Sequence, residues 1–313
     1  MVEKPVIRVG YLKIFDHLIL GLALDRLDSG DEIFGRCRLE AVAMNTWHQL
    51  SDALAAGLID GAFILAPEAM DLFGGGAGIR LLLFANRSGS ALVVNRAAGI
   101  SQIMDFKGKV VLIPHERSIH HLLVHRLLAS VGLKASVAGG ADDADVRLEV
   151  MAPALMPEAM AYDTEGAVGG FIAAEPVGSA AIAGGYGRRF CLSGDLWPEH
   201  PCCAFVVRDA LIEKQTDALF EITKSFVRAG RLVSENPEWA VRTACAFLNQ
   251  PAAVVTDVLC GANRQLDFDR LLPVAGELAV IQDYMCDNMG FIMEKIDMDE
   301  FVDARFARAA GAD

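Results

Sequence analysis

The sequence predicts an α/β protein of two lobes with a hinge, a central cleft and a helical C-terminal region. Three observations carry that reading. Short apolar runs alternate with amphipathic helices in the first hundred residues, the alternation restarts at "KGKVVLIP", and strand signals almost vanish after "HPCCAFVVRDAL". Apolar runs without strict alternation, separated by helices, are what a mainly parallel sheet covered on both faces requires.

The elements follow in order. "VIRVGYL" reads as a strand, residues 17–27 as a helix, "CRLEAVAM" as a strand, "WHQLSDALAAG" as a helix, and "IDGAFILA", "RLLLFAN" and "SALVVN" as strands. The second unit runs through "KGKVVLIP", a histidine-rich helix, "DVRLEVMAP", a short helix over 156–162, "AVGGFIAAEP", another helix and "RRFCLSG". Residues 209–313 read as successive helices broken at "ENPEW", "NQPAA" and "CGANRQLDF" by Asn, Pro and Gly. A helical tail of this size needs a surface to cover, and the first lobe offers one. The expected organisation is residues 1–96 plus 200–313 in lobe 1 and 97–199 in lobe 2, with crossings near 95–101 and 194–201.

At 313 residues and 53% hydrophobic content, the chain can supply a core for two domains. No apolar run reaches the eighteen residues of a membrane span, and "MVEKPVIRVGYL" lacks the pattern of a secretory signal, so the chain reads as soluble. A net charge of −13 argues against nucleic acid or an anionic membrane as partner, since both need a basic face. The seven cysteines (Cys37, Cys191, Cys202, Cys203, Cys245, Cys260, Cys286) form no C-x-x-C pair and read mainly as small core residues. The glycines at 74–76 lack the Lys-Ser or Lys-Thr of a P-loop, and "VGGFIAAEPVG" lacks a dinucleotide fingerprint. No cofactor and no metal are expected.

In open α/β sheets ligands gather at the carboxyl ends of strands. The candidate binding residues follow the strands accordingly: Lys13, Asp16 and His17 after the first, Trp47 after the second, Ala66 and Pro67 after the third, Ser88 and Ser90 near the crossing, His115, Arg117, Ser118 and His120 in the second lobe, and Glu175 after "GGFIAA".

"IPHERSIHHLLVHRLL" holds four of the seven histidines. On a helical wheel Ile119, Leu122, Leu123, Leu127, Leu128 and Val131 form an apolar stripe, which places His121 and His125 toward water. "HERSIH" is not H-E-x-x-H, because its second histidine comes one residue late for a shared helical face. Ser118 occupies the N-cap position, where first-turn amides and the positive end of the helix dipole make a ready anion site. His120, Arg117 and His115 would add donors there; the alternative is an ordinary serine cap with solvated basic neighbours.

Trp47 opens a helix where packing alone would favour Leu, which suggests a pocket wall. Asp16 reads equally as a helix cap or a ligand contact, and Glu175 as a ligand contact or the cap of the helix beginning at Pro176. Cys202 and Cys203 are adjacent on an incoming strand, so their side chains are expected on opposite faces.

The strings "IRVGYLKIFDHLILGLA", "MNTWHQLSDALAAGLIDGAFILAP", "NRSGSALVV", "FKGKVVLIPHERSIHHLLVHRLLASVGLK", "MPEAMAYDTEGAVGGFIAAEP" and "GDLWPEHPCCAFVVRDALIEK" occur in order over nearly the whole chain. Together they resemble the solute-binding proteins of ABC importers for nitrate, bicarbonate, taurine and aliphatic sulfonates, a group that also looks related to the thiamin-pyrimidine synthases. The resemblance implies a periplasmic-binding-protein fold of type II. It implies a monomeric, periplasmic or otherwise extracytoplasmic receptor, without catalysis, that closes over a small oxyanion or organic acid and delivers it to an ABC permease and its ATPase. By the same resemblance Trp47 matches the tryptophan lining the anion pocket. Ser88 stands where nitrate-type members carry Gln, Ile113 where they carry His, and Val177 in "AEPVG" where Trp is usual. The departures at Ser88 and Ile113 speak against nitrate itself, and Val177 implies a wider pocket that admits a larger, organic ligand. Two alternatives remain: an enzyme like the pyrimidine synthases, using histidines and the "HPCC" cysteines, and a cytosolic ligand-sensing domain like the one fused to some importer ATPases.

Overall fold

The computed structural model describes residues 4–137, 143–262, 264, 266–291 and 294–313. Residues 263 and 265, inside the predicted break at "CGANRQLDF", lie outside the described residues. Strands β1 (Val6–Tyr11), β2 (Arg38–Ala43), β3 (Gly61–Leu65), β4 (Ile79–Phe84), β5 (Ser90–Asn95), β6 (Val110–Ile113), β7 (Ala135–Val137), β8 (Val146–Val150), β9 (Val168–Ala174), β10 (Gly187–Leu192) and β11 (Cys203–Arg208) form two sheets. Their orders are β2-β1-β3-β11-β4 and β10-β5-β9-β6-β8-β7. The helices that position the site are α1 (Leu18–Ser29), α2 (Trp47–Ala55), α3 (Ala66–Gly74), α4 (Ile119–Ala129), α5 (Met156–Tyr162), α6 (Val177–Ala183), α7 (Ser193–Leu196), α8 (Asp209–Glu235), α9 (Pro237–Leu248), α10 (Ala252–Cys260) and α11 (Ala275–Tyr284). Among the described residues no helix is long and apolar enough to cross a membrane.

Neither sheet is purely parallel. β1, β2 and β3 run parallel, but β11 is antiparallel to both β3 and β4; β6, β7, β8 and β9 run parallel, but β5 is antiparallel to β9 and β10. The reason is the direction from which the chain arrives. β5 and β11 come from the other sheet, so each starts where the parallel strands end: Ser90 sits opposite Ala174 and Cys203 opposite Leu65. The expected crossing at 95–101 is therefore displaced. Ser90–Asn95 belongs to the second sheet, and the chain passes over within residues 85–89, returning between Leu192 and Cys203.

The two passages are stitched together. Ala85 donates its N–H to the Cys203 carbonyl at 2.9 Å and Ser88 donates to the His200 carbonyl at 2.9 Å. Arg87, 6% exposed, holds both Glu277 carboxylate oxygens (2.9 and 3.0 Å) and the carbonyls of Glu199 and Arg270. A bidentate guanidinium pair of this kind fixes geometry as well as contributing energy. Ser88 takes φ +55 and Gly89 φ +88, so the chain turns sharply just before β5.

Packing follows strand period. In β5, Leu92 and Val94 join the main core while Ala91 and Val93 face a smaller one with Leu112, Phe171, Met156 and Met160. Phe63 and Phe205 of the first sheet meet Phe226 of α8 with ring centroids 5.1–5.2 Å apart in tilted and edge-on pairs, each burial worth about 2–3 kcal/mol.

The helical tail covers more than the first sheet. α8 and α9 pack on α1, but α10 reaches α6 and α11 reaches α4. This corrects the expectation that His121 and His125 face water. His121 is buried, donates Nδ1–H to the Glu116 carbonyl at 2.7 Å and meets Phe291 edge-on; half-buried His125 bonds the Tyr284 hydroxyl at 2.8 Å. The wheel showed one helix alone, and the tail supplies the missing cover. Val131, placed on the apolar stripe by the wheel, is exposed beyond the end of α4.

Candidate functional site

The strand ends of both sheets face one another across a cavity of about 540 Å³. The first sheet contributes Leu12, Lys13 and Ile14 after β1, Ala43, Met44, Asn45 and Thr46 after β2, and Leu248, Asn249 and Gln250 from the end of α9. The second contributes residues 152–155 and Pro157 after β8, and Pro176, Val177 and Ala180 after β9. Lys13 is the single ionisable side chain on this lining, and no carboxylate pairs with it among the described residues. The walls are otherwise apolar with a few amides and one hydroxyl. Asn249 takes φ +53 in ending α9, which turns the chain toward the cavity.

Just past the lining residues Ile14 and Thr46 in sequence, Asp16, His17 and Trp47 enter a buried polar seam. Asp16 Oδ1 accepts from Asn86 Nδ2 at 3.2 Å, and the thiols of Cys202 and Cys203 lie against the same carboxylate. His120 Nε2 is 2.8 Å from Ser90 Oγ and 3.9 Å from Cys202 Sγ, so the seam joins the first sheet to the second. Several of its polar atoms have no hydrogen-bond partner: Asp16 Oδ2, His17 Nε2, Trp47 Nε1, Asn86 Oδ1, His120 Nδ1 and His200 Nε2. Buried polar atoms are normally satisfied, so these six orphans gathered in one seam set it apart from an ordinary core.

Burial sets the protonation states. It lifts the Asp16 carboxyl to about 6, against the pull of its hydrogen bonds from Cys202, Cys203 and Asn86. It lowers His17 to about 3 and His200 to about 4, and lowers His120 to about 3 with His200 adding to the effect. The hydrogen bond from Cys203 pulls the Cys202 thiol down, yet burial and Asp16 together carry it up to about 12; burial pushes Cys203 well above its ordinary value. The imidazoles are neutral and the thiols protonated at neutral pH, the reverse of an activated cysteine.

Each residue singled out from the sequence has a definite place. Asp16 sits in the short turn Phe15–His17 and makes no cap hydrogen bond, so the cap reading of that residue fails. His17 Nδ1 accepts from the Leu12 N–H at 2.9 Å and the ring meets Trp47 edge-on. Trp47 opens α2, capped by Thr46, and is 2% exposed. Ala66 and Pro67 open α3 fully buried, with the Ala66 N–H on the Cys202 carbonyl. Ser88 and Ser90 lie in the seam.

The helix start at α4 is different from the expected anion cradle. Ser118 Oγ accepts from His121 N–H at 3.1 Å and donates to the His115 carbonyl at 2.7 Å, so its hydroxyl is spent as a cap. Arg117 is ion-paired with Asp71 at 3.0 Å, and His115 Nδ1 accepts from the Arg117 N–H. Glu175 accepts from Ser179 N–H and Oγ at 2.8 and 3.0 Å, which is the capping alternative, beside a void of about 20 Å³ that suits one water. Cys202 and Cys203 do not point apart: Cys202 precedes β11, strand alternation does not apply, and both sulfurs lie within 4.8 Å of the Asp16 carboxylate.

Among the described residues two groups of side chains have metal-ligand chemistry. Asp16, Cys202 and Cys203 are wholly buried with protonated thiols; the other joins exposed His48 and half-exposed Glu116 to buried His115.

The NMT1-like family model matches residues 1–248. The chain belongs to the NMT1-like family. Its curated relatives include the nitrate import ATP-binding protein NrtC of Synechococcus elongatus, 24% identical over 74% of this chain and 36% of the relative. They also include the nitrate/nitrite binding protein NrtA of Nostoc sp., 25% identical over 73% of this chain and 54% of the relative. The chain thus spans about a third to a half of the length of the curated relatives it matches. Among solved structures, the ligand-binding component of an ABC-type import system from Staphylococcus aureus, with zinc bound, superposes with a TM-score of 0.85 at 24% identity, covering 98% of this chain and 99% of that one. The periplasmic nitrate-binding protein NrtA from Synechocystis gives 0.83 at 18% identity over 99% and 89%. The fold of this NMT1-like chain is that of the periplasmic binding proteins.

What the sequence reading missed in this NMT1-like protein is most of the cavity lining. Lys13 was singled out, as a lysine directly after the first strand. Asn249 and Gln250 appeared only as helix punctuation, and residues 152–157 only as the end of a strand run and the start of a short helix.

Proposed function

We propose that this chain is the ligand-binding component of an ABC import system and that its guest is a small organic anion held between the two sheets. The observation that carries the reading is the cavity of about 540 Å³ with Lys13 as its single ionisable side chain. That volume lies in the range of organic-ligand pockets, roughly 300–1,000 Å³, and exceeds what a bare inorganic oxyanion fills. A carboxylate or sulfonate would pair with Lys13 and take donors from Asn45, Thr46, Asn249 and Gln250. Its carbon frame would lie against Leu12, Ile14, Met44, Leu155, Val177 and Leu248.

Contacts from both sheets stabilise the closed form by the difference in the guest's affinity for the two states. Residues 85–89 and 193–202 absorb the rotation. The seam of Asp16, His17, Trp47, Ser88, Ser90 and His120 forms the floor, its orphan atoms receiving the polar end of the guest or the waters it brings. In this reading Ser118, Arg117, His115, Ala66, Pro67 and Glu175 shape the floor from behind. The receptor would work outside the cytoplasmic membrane as a monomer and pass its guest to a permease and ATPase.

A thermal-shift screen tests this, since a ligand that binds only the folded state raises the melting point. Short-chain carboxylates and alkanesulfonates are expected to shift the melt where nitrate and bicarbonate do not, and Lys13→Met is expected to weaken binding at least ~10-fold, the loss of one charge-assisted contact. Failure of the whole panel, or an unaffected Lys13→Met protein, would reject the reading.

One observation favours a second reading, a ligand-sensing domain inside the cell. NrtC of Synechococcus elongatus and the bicarbonate transport ATP-binding protein CmpC of Synechocystis, matched over 36% and 32% of their lengths, are named as ATP-binding proteins. Fractionation of cells expressing the native gene separates the two.

A further inference from the structure

We infer that His48, His115 and Glu116 form a binding site for a divalent transition-metal cation of the zinc type, and that this ion bridges the two halves of the molecule. One ligand atom from each lies within 4.8 Å of the others, and the His48 and His115 rings stand 4.9 Å apart. His48 belongs to α2, beside the first sheet. His115 and Glu116 follow β6, in the second.

Two imidazoles and a carboxylate, with water in a fourth position, are a donor set that zinc accepts in tetrahedral geometry. Such ligands stand about 3.3 Å apart around the ion, so the three atoms must close by somewhat over ~1 Å. The exposed His48 and the half-exposed Glu116 have the freedom to supply that movement, while His115, 1% exposed, is fixed.

An independent feature fits the same assignment. Glu68, on α3, is 6% exposed; its Oε1 accepts from Ser51 at 3.0 Å, but its Oε2 has no hydrogen-bond partner and lies 3.5 Å from His115 Nδ1. Metal-bound histidines almost always donate their other ring N–H to a carboxylate, a backbone carbonyl or water, and here the group in place is a carboxylate. In the metal-free protein His115 Nδ1 accepts from the Arg117 N–H, so the ring proton sits on Nε2, toward Glu116 Oε2 at 3.9 Å. When Nε2 binds the ion, the proton moves to Nδ1, where the Glu68 oxygen receives it and gains the partner it lacks. The Arg117 N–H gives up its acceptor in exchange.

Because the ion takes one ligand from beside the first sheet and two from the second, it holds the cleft closed whatever guest is inside. The test uses the full chain stripped with chelator and titrated calorimetrically with zinc chloride, alongside the visible spectrum of the cobalt-loaded protein. One equivalent is expected to bind, to raise the melting temperature, and to give a tetrahedral cobalt spectrum without a thiolate charge-transfer band. His48→Ala, which alters an exposed side chain, is expected to abolish that site. Glu68→Gln is expected to weaken it ~10-fold or more, with circular dichroism confirming that each variant is folded. No binding by the wild type, equal binding by His48→Ala, or a thiolate band that moves the ion to Cys202 and Cys203 would each overturn the assignment.

Discussion

Lowering the pH from 7.5 to 5.5 is expected to remove about 3 kcal/mol of stability through the groups of the seam alone, and His115 and His121, which burial lowers to about 4, add to that loss. His17, His120 and His200 are held neutral in the folded chain, with pKa values lowered by burial to about 3, 3 and 4. Unfolding returns each to about 6.5. The unfolded state then binds more protons than the native one, so their contribution is present above the unfolded pKa and lost as the pH falls below it. At pH 5.5 each unfolded imidazole is stabilised by about 1.4 kcal/mol through protonation, against less than about 0.1 kcal/mol at pH 7.5. Three groups together cost the fold about 4 kcal/mol. Asp16 opposes them: its folded pKa is raised to about 6, so its contribution is lost as pH rises through that value and partly recovered on acidification, by about 1 kcal/mol. The net loss is a large share of a typical 5–15 kcal/mol total. Urea unfolding with chelator present, at half-unit steps between pH 7.5 and 5.5, reads it directly. A stability constant within about 1 kcal/mol across that range would refute the claim that these three imidazoles are buried and neutral.

Other perturbations test the scaffold. Gly170→Ala places a Cβ 2.2 Å from the Val93 carbonyl oxygen on the neighbouring strand, and the overpacking should cost about 3 kcal/mol in denaturant titration. Arg87→Met leaves Glu277 unpaired and frees the carbonyls of Glu199 and Arg270; with Glu277 about a third exposed, the expected cost is about 2 kcal/mol, seen as a lower melting temperature. In a thiol-labelling time course, exposed Cys260 should react at once, while Cys202 and Cys203 stay protected until the chain unfolds. Rapid labelling of that pair in the native protein would contradict the burial described for them.

The strands were legible because apolar runs such as "GAFIL" and "SALVV" are buried along their whole length, and such runs announce themselves by composition. Their directions were not. That β5 and β11 run against their neighbours depends on where the chain comes from, which no local window contains. Strand β7, three half-buried residues, carried no signal at all. A helical wheel reads one helix against an assumed solvent, so it missed that Tyr284 and Phe291, more than 150 positions downstream, cover His125 and His121. Ser118 illustrates a third limit: a cap serine and an anion-binding serine look identical in sequence, and only the spent hydroxyl decides between them. Lys13 matters for the opposite reason, since no carboxylate among the described residues pairs with it.

The hydrogen bond from Ala85 to the Cys203 carbonyl has a consequence for how such a molecule is assembled. The chain departs from one sheet and rejoins it on adjacent strands, so everything from 86 to 202 is a cassette whose ends are separated by one interstrand spacing, about 4.8 Å. Excising the cassette leaves β1, β2, β3, β4 and β11 in unbroken order with a gap that a tight turn can close. Exchanging this half of the cleft as a unit therefore also requires a match to the tail helices, since α10 and α11 pack on α6 and α4.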